Sequence, residues 1–429
     1  GLDAQEITNI EIQNNPELSA CALDPFCTYL SEGGDFSIAN NGADCDSGLA
    51  ITISCGLELN QMSGSVLYDF NGTGCDTNDY NASNLQIIAT NNTNTYSTLT
   101  DEQGNYTLLV GAGEVTIMID QTSLPNNYIN TPSSIVQTFN SAGNEAEANF
   151  CLEAIAMLHD VSTTLLPLQE PRPGFEASYV VSYSNQGTFV ESGEIIFEFD
   201  NESVFYIDAE ISPNTITASS LTWEYDTLLP FETRTFEVTF ELFTPPTLIG
   251  GEILSSDVSI TTINEDDVPE NNISALRELV VNSFDPNDKQ VLQGVYIIEE
   301  EVGDYLDYII RFQNTGTADA INVVITDELS DNLNWGSLRM LGSSHEYRVE
   351  ITNGNDVSFI FEDINLPPEE QDEEGSNGYI AFQIRSNNDL VLEDTIENTA
   401  NIFFDFNVPI ITNTVVTTCL LYTSPIPRD

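Results

Sequence analysis

Two segments of this chain repeat each other at a spacing that only whole domains can fill. "ASYVVSYSNQGTFVESGEIIFEFD" (177–200) aligns with "LDYIIRFQNTGTADAINVVITDEL" (306–329). Asn185, Gly187 and Thr188 fall on Asn314, Gly316 and Thr317 at a constant offset of 129 residues. Each copy reads as a strand, an N-x-G-T turn and a second strand, because apolar residues alternate at period two between turn formers. Solenoid repeats run to roughly 20–50 residues, so this longer period means tandem domains.

The rest of the chain has the same texture. Asn, Thr, Ser, Gly, Val, Ile, Phe and Tyr dominate, and the only clear helical spacing is in "LSACALDPFCTYLSEGG" (18–34). That is strand-and-turn composition, and at 429 residues it implies about three domains. No apolar run reaches the roughly 18 residues of a membrane helix. With 69 acidic and 9 basic residues the net charge is −60. Nucleic acid and anionic membrane surfaces would be repelled, which leaves cations, extracellular proteins or glycans as partners.

Several motifs carry resemblances. The opening "ITNIEIQNNPELSACALDPFCTYLSEGG" reads as a strand and an Asn turn, and resembles the last turn and cap of a leucine-rich repeat solenoid. One repeat cannot stand alone, so further repeats are expected before Gly1. "MSGSVLYDFNGTGCDTNDY" through "TDEQGNYTL" to "GEVTIMI" (62–119) resembles the B-type, or prealbumin-like, domain of bacterial surface proteins, with Gly104 in a turn and Tyr106 and Leu108 facing inward. The two repeated segments resemble the conserved-repeat Ig-like domains of such proteins. "FDPNDK" (284–289) and "ENTANIFFDFNVPIITNT" (397–414) bracket the second copy, and resemble the penultimate domain of proteins exported by the type IX secretion system of the Bacteroidota. "CLLYTSPIPRD" (419–429) breaks this texture and resembles a translated sequencing adaptor. The resulting expectation is an all-β chain of tandem Ig-like and prealbumin-like sandwiches behind a short disulfide-stapled repeat cap. Its parts are a cap at 1–57, a B-type sandwich at 58–155, Ig-like sandwiches at 156–282 and 283–418, and a non-native tail at 419–429.

Outside that tail the cysteines are Cys21, Cys27, Cys45, Cys55, Cys75 and Cys151. None forms a CxxC pair and no His is near, which argues against zinc and for disulfides in an oxidising compartment. Clustering suggests two bridges within 21–55 and one from Cys75 to Cys151. Cys21 and Cys27 point to different sides of a helix and are not expected to pair.

Few residues could carry chemistry. Asp69, Asn71, Thr73, Asp76 and Asp79 place five oxygens in one Gly-containing loop. Calcium takes about six to eight hard oxygens. The loop resembles the calcium loops of B-type domains, without an Asp at position 73 or a Glu at position twelve. It reads either as a weak Ca2+ site or as a solvated acidic turn. The acidic stretches "NEDDVPENN" (264–272) and "PPEEQDEEG" (367–375) read as solvated loops. Lys289, the only lysine, opens the last domain's first strand. There it could pair with Asp405, Asp285 or Asp288 and pin the sandwich ends. The resemblance to surface domains adds a second reading, a Lys–Asn isopeptide bond to Asn398 or Asn401 with a buried Asp or Glu as catalyst. His159 and His345 lie in no nucleophile or metal motif. Trp223, Tyr225 and Trp335 could stack on sugars, but each lies in a run that alternates as a sandwich strand does.

These readings imply a non-enzymatic secreted or cell-surface stalk, a monomeric rod that spaces, presents or adheres. The competing reading is a carbohydrate-binding module of a secreted polysaccharide-degrading protein.

Overall fold

The computed structural model describes residues 10–13, 21, 27, 36–39, 51, 55, 59–91, 94–281, 286–373, 375–405 and 407–420. Short strands Ile10–Gln13 and Phe36–Ala39 pair in parallel, with Ile10 opposite Phe36. Cys27 is bonded to Cys55. Cys21 is also disulfide-bonded; Cys45 lies outside the described residues.

Among the described residues after 58 the regular structure is strand apart from three single-turn 3-10 helices, and three hydrophobic cores organise it. In the first sandwich, Leu59–Tyr68 pairs with Asn105–Gly111 and Phe150–Ala154, while Gln86–Thr90 lies between Thr95–Leu99 and Gly113–Ile119 on the opposite sheet. Met62, Val66, Tyr106, Leu108, Val110 and Phe150 fill the space between. Gly104 holds φ at +73°, and a Cβ there would come within 2.6 Å of the Val66 carbonyl, so only glycine fits this turn. Cys75 is bonded to Cys151, which ties the 69–79 loop to the strand Phe150–Ala154.

The two later sandwiches share one plan. Glu176–Asn185 lies between Val161–Pro167 and Thr233–Leu242; Tyr305–Gln313 lies between Asp288–Val291 and Asn377–Arg385. On the opposite sheets, Glu191–Phe199 pairs with Ser220–Leu228 and Ile253–Thr262, and Val323–Glu328 pairs with Asp356–Phe361 and Ala400–Phe404. The repeated asparagine has a structural task in both copies. Asn185 Nδ2 donates to the Phe189 and Leu228 carbonyls while its Oδ1 accepts the Gly187 N–H. Asn314 does the same with Ala318, Leu366 and Gly316. One amide thus satisfies three backbone groups of a buried turn, which explains the repeat in physical terms.

The sandwiches do not form the expected rod. Thr95–Leu99, at the edge of the first sandwich, pairs antiparallel with Arg348–Thr352 of the last, with Ile351 opposite Ser97. The two half-sandwiches thereby merge into a single nine-stranded sheet. The physical reason is the edge: an unpaired strand exposes a row of N–H and C=O groups, and here two edges cover each other. The middle sandwich closes against both. Tyr128 Oη donates to the Gly187 carbonyl (2.6 Å) and Ser83 Oγ to the Phe231 carbonyl (2.7 Å). Leu166 and Val180 pack on Ile309, Leu341, Tyr379 and Ala381 of the last sandwich. The strand Val415–Leu420 runs through residue 419, the expected start of a foreign tail, and Cys419 is buried.

This packing predicts a globular scattering profile. A radius of gyration near 21–23 Å is expected from globular scaling, and a value above roughly 30 Å would show the sandwiches standing end to end.

Candidate functional site

The deepest chemistry in the chain is at its single lysine. Lys289 sits on Asp288–Val291, where alternation turns it inward with Val291. Its Nζ meets Asp327 Oδ2, and neither side chain has any exposed surface. Asp327 belongs to Val323–Glu328 on the facing sheet, so the contact crosses the core. The Tyr308 and Phe382 rings flank Nζ, with centroids 5.1 and 5.5 Å away. The backbone of Lys289 is clamped as well: its N–H donates to Asn413 Oδ1, and Asn413 Nδ2 donates to its carbonyl, both at 2.9 Å.

Asn398 completes the group. It ends the strand Thr395–Asn398 and is 2% exposed. It lies near enough to Asp327 to lower that carboxyl's pKa. Yet Asn398 Nδ2, Asn398 Oδ1 and Asp327 Oδ1 are all buried without a hydrogen-bond partner. A buried unsatisfied group costs about 1–3 kcal/mol, so this trio is an expensive way to fill a core. Burial holds the Lys289 pKa down, against the Asp327 charge that raises it. Burial also pushes Asp327 up, against Lys289 and Asn398. Both directions favour a neutral amine beside a protonated carboxyl.

The other candidates lie elsewhere. Lys289 does not pair with Asp288, which instead takes the Arg311 guanidinium through Nε at 2.7 Å and Nη2 at 2.5 Å. Asp405 does not pair with it either: its Oδ1 accepts the N–H groups of Ile321 and Asn322. Asp285 lies outside the described residues. Asn401 points away from the core, with Nδ2 3.4 Å from Thr326 Oγ1. Asp327 was missed by sequence reasoning although a signal existed, since Val323, Ile325 and Asp327 share the inward phase of one alternating strand.

The 69–79 loop is knitted to itself. Asp69 Oδ1 accepts the Gly72 and Thr73 N–H groups, and Oδ2 accepts that of Gly74. Asp79 accepts Asn71 Nδ2 and the Asp76 N–H, Asn71 Oδ1 accepts from Thr73, and Asp76 Oδ1 from Asn78. As folded, these oxygens accept hydrogen bonds from the loop's own donors. Among the described residues no cluster of three His, Cys, Asp or Glu side chains is placed for a metal.

Neither histidine joins a catalytic constellation. His159 Nδ1 meets Glu191 Oε1 at 2.5 Å beneath the Phe189 ring, and His345 Nδ1 is 2.8 Å from Ser344 Oγ in another domain. Trp223 is a core residue, 2% exposed, whose indole N–H donates to the Ile211 carbonyl. Trp335 packs on the last core and donates to the Ser330 carbonyl. Tyr225 is 7% exposed. Trp223 and Tyr225 fill the middle sandwich, and Trp335 packs half-buried on the last. Where the three sandwiches meet, a cavity of about 50 Å³ is lined by Ser83, Asn84, Ser162, Tyr183, Arg339 and Met340, among others. It contains neither histidine and no carboxylate pair.

Residues 285–418 match the family model described as "Domain of unknown function (DUF7619)". No curated protein matches the chain. Among solved structures, the C-terminal domain of the Streptococcus pyogenes antigen I/II-family protein AspA is similar at 10% identity and TM-score 0.21, covering 61% of this chain and 99% of that one. BcpA, the major pilin subunit of Bacillus cereus, is similar at 9% and 0.23, covering 85% and 98%. The N-terminal domain of the Streptococcus gordonii adhesin Sgo0707 is similar at 12% and 0.25, covering 85% and 89%. At TM-scores this low the likeness assigns neither a fold family nor an activity.

One buried acid couples the junction between the last two sandwiches to pH. Glu278 is 6% exposed and accepts the Tyr179 hydroxyl at 2.9 Å. Burial pushes it up to about 7, while the Tyr179 hydrogen bond and the Arg311 charge pull the other way. Unfolded, it would release its proton near its ordinary value of 4.5. A carboxyl raised on folding contributes stability that is full below pH 4.5 and lost as pH rises through 7. The Glu278→Gln variant should therefore lose on the order of 2–3 kcal/mol less than the parent between pH 4.5 and 8, read from denaturant midpoints. Equal losses in both proteins would show that Glu278 ionises freely in the folded state.

Proposed function

We propose that this chain is a non-enzymatic structural and adhesion segment of a secreted or cell-surface protein. The observation that carries the reading is the sealing of three closed sandwiches against one another through a shared sheet edge and an apolar junction. Such an assembly resists deformation and presents loops. The disulfides support an oxidising location outside the cytoplasm. Net charge of −60 supports solubility in a salty medium and discourages contact with nucleic acid. Among the described residues no helix is long and apolar enough to cross a membrane. Export by a type IX system, the leucine-rich repeat cap and a Bacteroidota source rest on the motif resemblances alone. The ligands in this reading are extracellular proteins or glycans, bound by surface loops.

Force spectroscopy tests it. Pulled from residues 59 and 420, the chain should stay folded until a few high-force events, with the sandwiches opening cooperatively. Gradual extension at low force, as from loosely tethered domains, would contradict a structural role.

A further inference from the structure

The preceding sandwich serves as an internal control for the trio at Lys289. Its strand Val161–Pro167 sets Leu165 opposite Val181, as Asp288–Val291 sets Lys289 opposite Ile310, one repeat of 129 residues after Val181. Phe199 is the last buried residue of Glu191–Phe199 and lies opposite Ser256; Asp327 is the last buried residue of Val323–Glu328 and lies opposite Ala400, so the two correspond by inward phase, one residue off the 129-residue spacing. Two residues before Ser256 stands Leu254, and two before Ala400 stands Asn398. One copy of the fold thus fills these three positions with Leu165, Phe199 and Leu254, all in its core. The other fills them with an amine, a carboxyl and a carboxamide. The architecture does not demand polar groups there, and apolar side chains of similar volume would hold the sandwich at least as well.

What the polar trio has that the apolar one lacks is reactivity. We propose that Lys289 and Asn398 become joined by an amide bond from Nζ to Cγ, with Asp327 as the acid–base group for its formation. The Nζ lone pair attacks the Asn398 carboxamide carbon. Asp327 gives its proton to the developing oxyanion at Asn398 Oδ1, takes a proton from Nζ and passes it to the departing Nδ2, and recovers the Oδ1 proton as the carbonyl re-forms and ammonia leaves. An amine and a primary amide become a secondary amide and one ammonia, with no change in oxidation state. Burial shifts Asp327 up and Lys289 down, each toward the protonation state this step needs. The Tyr308 and Phe382 rings and the closed core keep water from competing for the carbonyl. The bond would also remove Asn398 Nδ2, and leave one amide N–H and one C=O beside the unfilled Asp327 Oδ1. It would fasten the first strand of the last sandwich, Asp288–Val291, to Thr395–Asn398 near its end.

Mass spectrometry of the reduced, folded chain decides it. The intact mass should lie ~17 Da below the sequence mass, one ammonia lost. Digestion should yield a branched peptide that joins the segments carrying residues 289 and 398. The triple variant Lys289→Leu, Asp327→Phe, Asn398→Leu copies the preceding sandwich, so it should fold at full mass. Folded Asp327→Ala should also keep its ammonia; the same loss in that variant would overturn the role given to Asp327. If Asp327→Ala fails to fold, the branched peptide in the parent and its absence from the triple variant still support the bond. Parent protein at full mass, with residues 289 and 398 on separate linear peptides, would overturn it.

Discussion

An amine and a carboxyl group with no exposed surface face each other across the core of the last sandwich, and their contact joins its two sheets. Lys289 comes from one sheet and Asp327 from the other, so their contact ties the two layers where packing alone would ordinarily do so. Buried polar pairs of this kind recover little net stability, because each group gives up its water. Their effect is to fix register. Lys289 can reach its partner only when Asp288–Val291 pairs with Tyr305–Gln313 in the observed alignment, and Asn413 holds the lysine backbone in that alignment.

The same logic of closing exposed ends appears at larger scale. The strand edge at Thr95–Leu99 would invite pairing with another chain, and Arg348–Thr352 occupies it instead. The middle sandwich inserts Leu166 and Val180 against Ile309 and Tyr379, and Arg311 reaches from its Asp288 pair to the Pro167 carbonyl at 3.2 Å. Three sandwiches, each with its own core, are thereby made to share borders. Shared borders of this kind stiffen the assembly, which suits the proposed role in spacing and presentation.

Much of this was legible in the sequence. Period-two alternation and Asn-Gly turns fix the strands, and the 129-residue offset finds the shared plan, down to the Asn185 and Asn314 turns. The inward placement of Tyr106 and Leu108 followed from alternation alone. The borders between domains did not follow, because edge pairing depends on which strand ends a sheet, and local pattern does not encode that. Lys289 stood out by its rarity, but its partner did not. Asp327 lies 38 residues away on the opposite sheet, and Asp288 and Asp405 looked equally suitable until Arg311 and the Ile321–Asn322 turn were seen to occupy them. For the loop at 69–79 the sequence counts donors, but it cannot show that Asp69 is already taken by three N–H groups.

The account rests on the terminal strands of the last sandwich being as firmly held as its centre. Native-state hydrogen exchange, read residue by residue, tests this directly. Amides of Asp288–Val291 and Thr395–Asn398 should exchange as slowly as those of Tyr305–Gln313. Early exchange of either segment, with the central strand still protected, would mean the ends fray and the lysine tether does not hold.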